Sequence, residues 1–247
     1  MINDLSTLQW VIYLASGLLI GMSKTGVQGI GTLVVPMLVF VFGGKPSTGV
    51  LLPILCMADI IAVSYYRRSG NMSYVIKLLP WAITGFFLAL AVDRFIPVDQ
   101  FKWLIGFCIF LGLVVLIWSE RFRKNKPFPT GWGIAALFGV MGGFTTMIGN
   151  AAGPIMAVYL LAMRLPKKEF VGVGAWFFLV VNLLKLPLQI WAWDNITWES
   201  FFMNLLTLPF IILGGLIGIK FVKVIPETWF RRFVIVVTFA SSLLLFL

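Results

Sequence analysis

Histidine is missing altogether, and only two cysteines, Cys56 and Cys108, stand among 247 residues. Both cysteines sit inside apolar runs with no second thiol nearby, so no disulfide framework, zinc site or histidine-based acid–base chemistry can be read. Charge is equally scarce: 11% of residues are charged against 60% hydrophobic, and only nine are acidic. A soluble domain of this length needs far more charge to cover its surface. There is no close carboxylate pair and no phosphate-binding loop, and the fragment GVQGIG follows an apolar segment rather than a strand, so it is no dinucleotide fingerprint. The scarcity of reactive groups argues against an enzyme, and nothing calls for a metal or cofactor.

What remains is one apolar run after another from Leu8 to Leu247, the pattern of an all-α, polytopic membrane protein. The opening MINDLSTLQW lacks the basic region of a cleaved signal peptide, so the first apolar segment is expected to stay. The net charge of +10 does not indicate nucleic acid, because Lys and Arg fall in short loops between helices rather than along one face. There they set topology and meet anionic lipid headgroups. The expected partners are thus the bilayer and a small substrate, with room for a homo-oligomer and none for nucleic acid.

The basic stretch SERFRKNKPFPTG, Ser119 to Gly131, divides the chain nearly in half. RFIPVDQFKWLIGF from Arg94 is echoed by KVIPETWFRRFVIV from Lys223, GNMSY from Gly70 by DNITW from Asp194, and KLLPWAITG by LTLPFIILG. Their shared order indicates an internal repeat: residues 1–119, a cytoplasmic linker at 120–130, and residues 131–247. Helices are predicted in the first half at Leu8–Met22, Thr32–Gly43, Ser47–Tyr66, Val75–Val92 and Gln100–Trp118. In the second half they fall at Gly131–Ile148, Ala151–Met163, Phe170–Trp193, Ser200–Ile219 and Trp229–Leu247. Several members of the opening pairs run only about 12 to 15 residues, short of the ~20 needed to cross a hydrocarbon core. Treating each pair as a short-helix hairpin puts fourteen basic residues, from Arg67 to Arg232, on the cytoplasmic side and leaves Lys45, Arg94 and Lys102 outside. Treating each as one broken span reduces this to seven against ten. A hairpin plus three full spans crosses an odd number of times, so the halves are expected to be inverted repeats in the cell inner (plasma) membrane, with both termini outside the cytoplasm.

Two polar interruptions carry the candidate site. In GMSKTGVQGIGTLVVP, residues Ser23, Lys24, Thr25, Gly26, Gln28, Gly29 and Gly31 are expected between two short helices. Irregular backbone survives at membrane depth only when buried in protein or lining a watery cavity. A glycine-rich turn before a helix aims N–H groups and the positive helix end at an anion. The counterpart TTMIGNAAGP offers Thr145, Thr146, Asn150 and Gly153. Lys185, predicted mid-span, costs about 2.5–3.5 kcal/mol to insert and therefore calls for a cavity or a partner. Its expected role is substrate ligand, with a structural pair to Asp59 as the alternative. Asn182 and Gln189 flank it by about one turn on each side. Asp59, at the repeat position matching Asn182, is a candidate for proton coupling.

The segments GMSKTGVQGIGTLVVPML, FTTMIGNAAGPIMAVYLL and FVGVGAWFFLVVNLLKLPLQ resemble the sulfite exporter TauE/SafE family of membrane permeases, a likeness that covers nearly the whole chain. The resemblance implies two related halves and export or uptake of sulfite, sulfonates and related small anions. Many members carry a fuller glycine triplet in the first loop; here GIGT places Thr32 there, which bears on the site's width or donors. The expected function is a secondary transporter exporting small sulfur-containing organic or inorganic anions by alternating access. A passive anion channel or a non-transporting membrane subunit is the alternative.

Overall fold

The first helix begins where Ser6 accepts a hydrogen bond from the Gln9 amide while the Gln9 side chain returns to the Ser6 N–H, a capping box. In this computed structural model, which describes residues 5–93, 95 and 131–244, α1 then runs Thr7–Thr25. The turn after it contains Gly29 at φ 96°, in the left-handed region that favours glycine, and α2 follows at Gly31–Phe42. The first half continues with α3, Gly44–Tyr66, and α4, Met72–Asp93.

The second half opens with α5, Trp132–Gly149, closed by Asn150 in the left-handed conformation, its amide donating to the Thr145 and Thr146 carbonyls. After it comes α6, Gly153–Ala162, with Pro154 in its first turn, where no N–H is needed. Next is α7, Lys167–Pro187, which relaxes into a π-helical turn over Leu188–Ala192 immediately after the proline. The last elements are α8 (Trp198–Leu205), α9 (Leu208–Val224) and α10 (Glu227–Leu244). The described residues contain helices and no strand.

Among the described residues, four segments are long and apolar enough to cross a membrane: Pro46–Tyr66, Met72–Val92, Trp132–Gly149 and Lys167–Ala192. The pair α8 and α9, bent by 51° at its break, makes a fifth when counted as one span. By contrast α2 and α6, at 12 and 10 residues, reach only about 15–18 Å of a ~30 Å core.

Three expectations change. The first opening pair is not two short arms: α1 has 19 residues and runs past the predicted end at Met22, while α5 at 18 residues matches the predicted Gly131–Ile148. Ser23, Lys24 and Thr25 therefore stand in the last turn of α1, not in a loop, whereas Thr145 and Thr146 stand on α5 within the predicted Gly131–Ile148 helix. Tertiary packing overrides the glycine signal here, since the Thr25 hydroxyl donates to the Gly21 carbonyl and reaches the Gly215 carbonyl of α9, both at 2.9 Å. The predicted Ser200–Ile219 helix is split at Leu206–Thr207, because Pro209 has no N–H to offer and Thr207 donates its hydroxyl to the Asn204 carbonyl at 2.7 Å. The predicted Gln100–Trp118 helix, the linker and Cys108 lie outside the described residues.

Helices from the two halves interleave: α1 lies against α9, α4 against α5, and α3 against α7. Small residues make the first two contacts close. A Cβ added at Gly21 would stand 2.9 Å from the Gly215 nitrogen, and one at Gly143 would stand 2.7 Å from the Ala82 Cα. Such backbone approach is how helices associate where lipid supplies no hydrophobic drive. The larger buried cluster gathers Phe138, Tyr159, Phe170, Phe177 and Phe230; a smaller one surrounds Tyr13, Ile20, Val34 and Leu38.

Candidate functional site

The two helix breaks face each other across a cavity of about 50 Å³. Ser23, Lys24, Gln28, Gly29, Gly31 and Thr32 line it from the α1–α2 side, and Thr146, Asn150 and Gly153 from the α5–α6 side. Its walls are Leu51 and Leu55 of α3, Gly174, Ala175, Phe178 and Asn182 of α7, and Ile20. A volume of this order admits a few waters or one small oxyanion. Gly31 and Gly153 are the first residues of the short helices, and neither α2 nor α6 has a side-chain N-cap. The first turns of both thus border the cavity, and in α2 the Thr32 and Leu33 amides donate to the Gly29 and Ile30 carbonyls.

Lys24 is the one charged side chain among the described residues that line the cavity. Its ammonium stands 2.9 Å from Asp59 Oδ1 and 4.0 Å from the Phe178 ring centre, and its side chain keeps 11% exposure. Asp59 is sealed behind it with no exposure, its other oxygen accepting from Asn182 Nδ2 at 2.6 Å. Lys185, equally buried, does not line the cavity; its ammonium donates to the Thr146 carbonyl and hydroxyl, both at 2.9 Å, and to Asn150 Oδ1 at 2.5 Å. It therefore ties α7 to the end of α5 and to the turn entering α6. The alternative pairing of Lys185 with Asp59 is not the one formed, since the Asp59 ion pair goes to Lys24.

Of the residues expected at the site, Ser23, Lys24, Gln28, Gly29, Gly31, Thr146, Asn150, Gly153 and Asn182 come together around the cavity. Thr25, Thr145, Gln189 and Lys185 do not line it. Thr145 turns its hydroxyl back to the Met141 carbonyl at 2.8 Å, and Gln189 accepts from Asn195 Nδ2 at 3.2 Å. Ile20, Leu51, Leu55, Gly174, Ala175 and Phe178 were not anticipated. A signal for several existed: Leu51, Leu55 and Asp59 form an i, i+4, i+8 stripe on α3, and Gly174, Phe178 and Asn182 form the matching stripe on α7.

With this geometry in view, the family comparison is decisive: the model of the sulfite exporter TauE/SafE family matches residues 13–245. The chain belongs to the TauE/SafE family. Comparison with curated proteins and with solved structures gave no match. As a TauE/SafE member with several helices long and apolar enough to span, the chain is an integral membrane protein of a transporter family. Both polar interruptions, with the cavity between them, lie inside the matched segment.

Proposed function

We propose that the protein exports small sulfur-containing anions, such as sulfite or short sulfonates, by alternating access at this cavity. The observation that carries the proposal is the convergence of the Lys24 ammonium and two uncapped helix N-termini, one from each half, on a single small cavity. Ser23, Gln28, Thr32, Thr146, Asn150 and Asn182 complete the polar set around an oxyanion, while Lys185 shapes the α5–α6 turn from behind. Asp59 is the group at which a coupled proton would bind. Coupling is not obligatory, because an anion leaving a cell with a negative interior gains roughly 2.3 kcal/mol per charge per 100 mV.

The helix pairing supports inverted repeats as the moving parts, with residues 1–119 and 131–247 as the two bodies. If α1 corresponds to α5 and α4 to α9, exchanging the halves converts the α1–α9 contact into the α5–α4 contact and leaves α3 against its own counterpart α7. In this arrangement the protein sits in the inner membrane with both termini outside the cytoplasm.

Counterflow of labelled sulfite in proteoliposomes, with sulfonates and carboxylates as competitors, tests the function. Saturable exchange is expected, falling about tenfold or more in Lys24→Gln if the ammonium contacts the anion. Flux that never saturates would indicate a channel, and a wild-type protein that exchanges none of these anions would overturn the proposal.

A further inference from the structure

Granting that the cavity takes an anion, we infer that it is charge-matched to a monoanion and that Asp59 sets this selectivity through Lys24. Among the described residues, the charged side chains that line the cavity or bond directly to its lining are Lys24, Asp59 and Lys185. Lys185 Nζ faces three oxygen acceptors at 2.9, 2.9 and 2.5 Å. Two of them are obligate acceptors and the third is a hydroxyl that can accept, and oxygens gathered round the nitrogen in this way favour the ammonium. Lys185 therefore counts as +1, and Lys24 and Asp59 cancel. The nearby titratable groups add nothing: Tyr66 donates its hydroxyl to the Thr25 carbonyl at 3.0 Å, and Cys56 is a buried free thiol.

The helix N-termini give the anion a local positive end but add little to the net charge. Each half brings one N-terminus, of α2 or α6, and one C-terminus, of α1 or α5, so the half-charges of opposite sign offset. The empty site thus carries close to +1. A monoanion makes the cluster neutral, whereas a dianion leaves an uncompensated negative charge beside a carboxylate that has no exposure. In a site this buried such a mismatch is poorly screened. Without Asp59 the same cavity would carry +2 and suit a dianion. Asp59 need not touch the anion, since Lys24 lies between it and the cavity, so its role is positioning and charge setting.

Thermal unfolding of the detergent-solubilised full chain, titrated with methanesulfonate or sulfate at constant ionic strength, reads both affinities without requiring transport. Wild type is expected to bind methanesulfonate at least about tenfold more tightly than sulfate. Asp59→Asn shifts that ratio about tenfold or more toward sulfate, Asp59→Glu preserves it, and Lys24→Gln combined with Asp59→Asn, again near +1, returns it toward methanesulfonate with weaker binding of both. Equal or tighter sulfate binding by wild type, an unshifted ratio in Asp59→Asn, or no binding of either anion overturns the inference. The wild-type ratio decides the matter even if a variant fails to fold. Tight methanesulfonate binding without counterflow would uphold the charge match and sink the transport proposal instead.

Discussion

Replacing Lys185 with methionine distinguishes a lysine that holds the site together from one that holds the anion. The substitution keeps an unbranched side chain of similar length but removes the ammonium from the Thr146 carbonyl, the Thr146 hydroxyl and Asn150 Oδ1. A buried acceptor left without a donor costs about 1–3 kcal/mol. The Thr146 hydroxyl recovers part of this by turning onto its own helix, as Thr145 already does. Removing a buried charge also returns part of its desolvation penalty. The net loss is then about 2–4 kcal/mol, or a fall of roughly 5–15 °C in unfolding midpoint for a chain of this size. Intrinsic-fluorescence unfolding in detergent measures it, with Lys24→Met as the comparison at the cavity wall. A Lys185→Met protein that unfolds within about 1 °C of wild type yet no longer binds anion would refute the scaffolding role and make this ammonium a direct ligand.

Gly21→Ala should destabilise by about 1–3 kcal/mol, because its Cβ would stand 2.9 Å from the Gly215 nitrogen and 3.0 Å from the Ile211 carbonyl carbon, forcing α1 from α9. Gly142→Ala, on α5 with nothing within 4 Å of the added carbon, should be neutral or stabilise by up to about 1 kcal/mol; thermal unfolding of the two proteins compares them, and equal effects would contradict the close α1–α9 approach. A reporter enzyme that folds only outside the cytoplasm, fused to the C-terminus, should be active. A cytoplasmic C-terminus would sink the inverted-repeat arrangement.

Much of the site was legible because the bilayer makes polar residues expensive. Lys24, Asn150, Asn182 and Asp59 stand out in an apolar chain, and a polar group there must find a partner or a cavity. The boundaries were less legible. The stretch GMSKTGVQG reads as ending the first helix at Met22, but the helix runs on to Thr25, packed where Gly21 leaves no side chain against α9. Prolines alike in sequence also diverge: Pro209 coincides with a bend, while Pro80 stays inside α4, where Thr84 donates to the Pro80 carbonyl at 3.0 Å. Local pattern cannot rank such outcomes, since the deciding partner lies on another helix.

Composition and periodicity were sufficient for the all-helical class, the membrane environment and the two polar breaks, all consequences of the cost of exposing backbone or charge to lipid. Which lysine faces the cavity was settled only in three dimensions. Lys185 looked the sharper ligand along the chain, yet its three protons are consumed by Thr146 and Asn150, and Lys24 lines the cavity instead, balanced by Asp59. A hydrogen bond between residues 39 positions apart, or an ion pair between α1 and α3, leaves no trace in local sequence, because proximity of that kind exists only once the helices have packed.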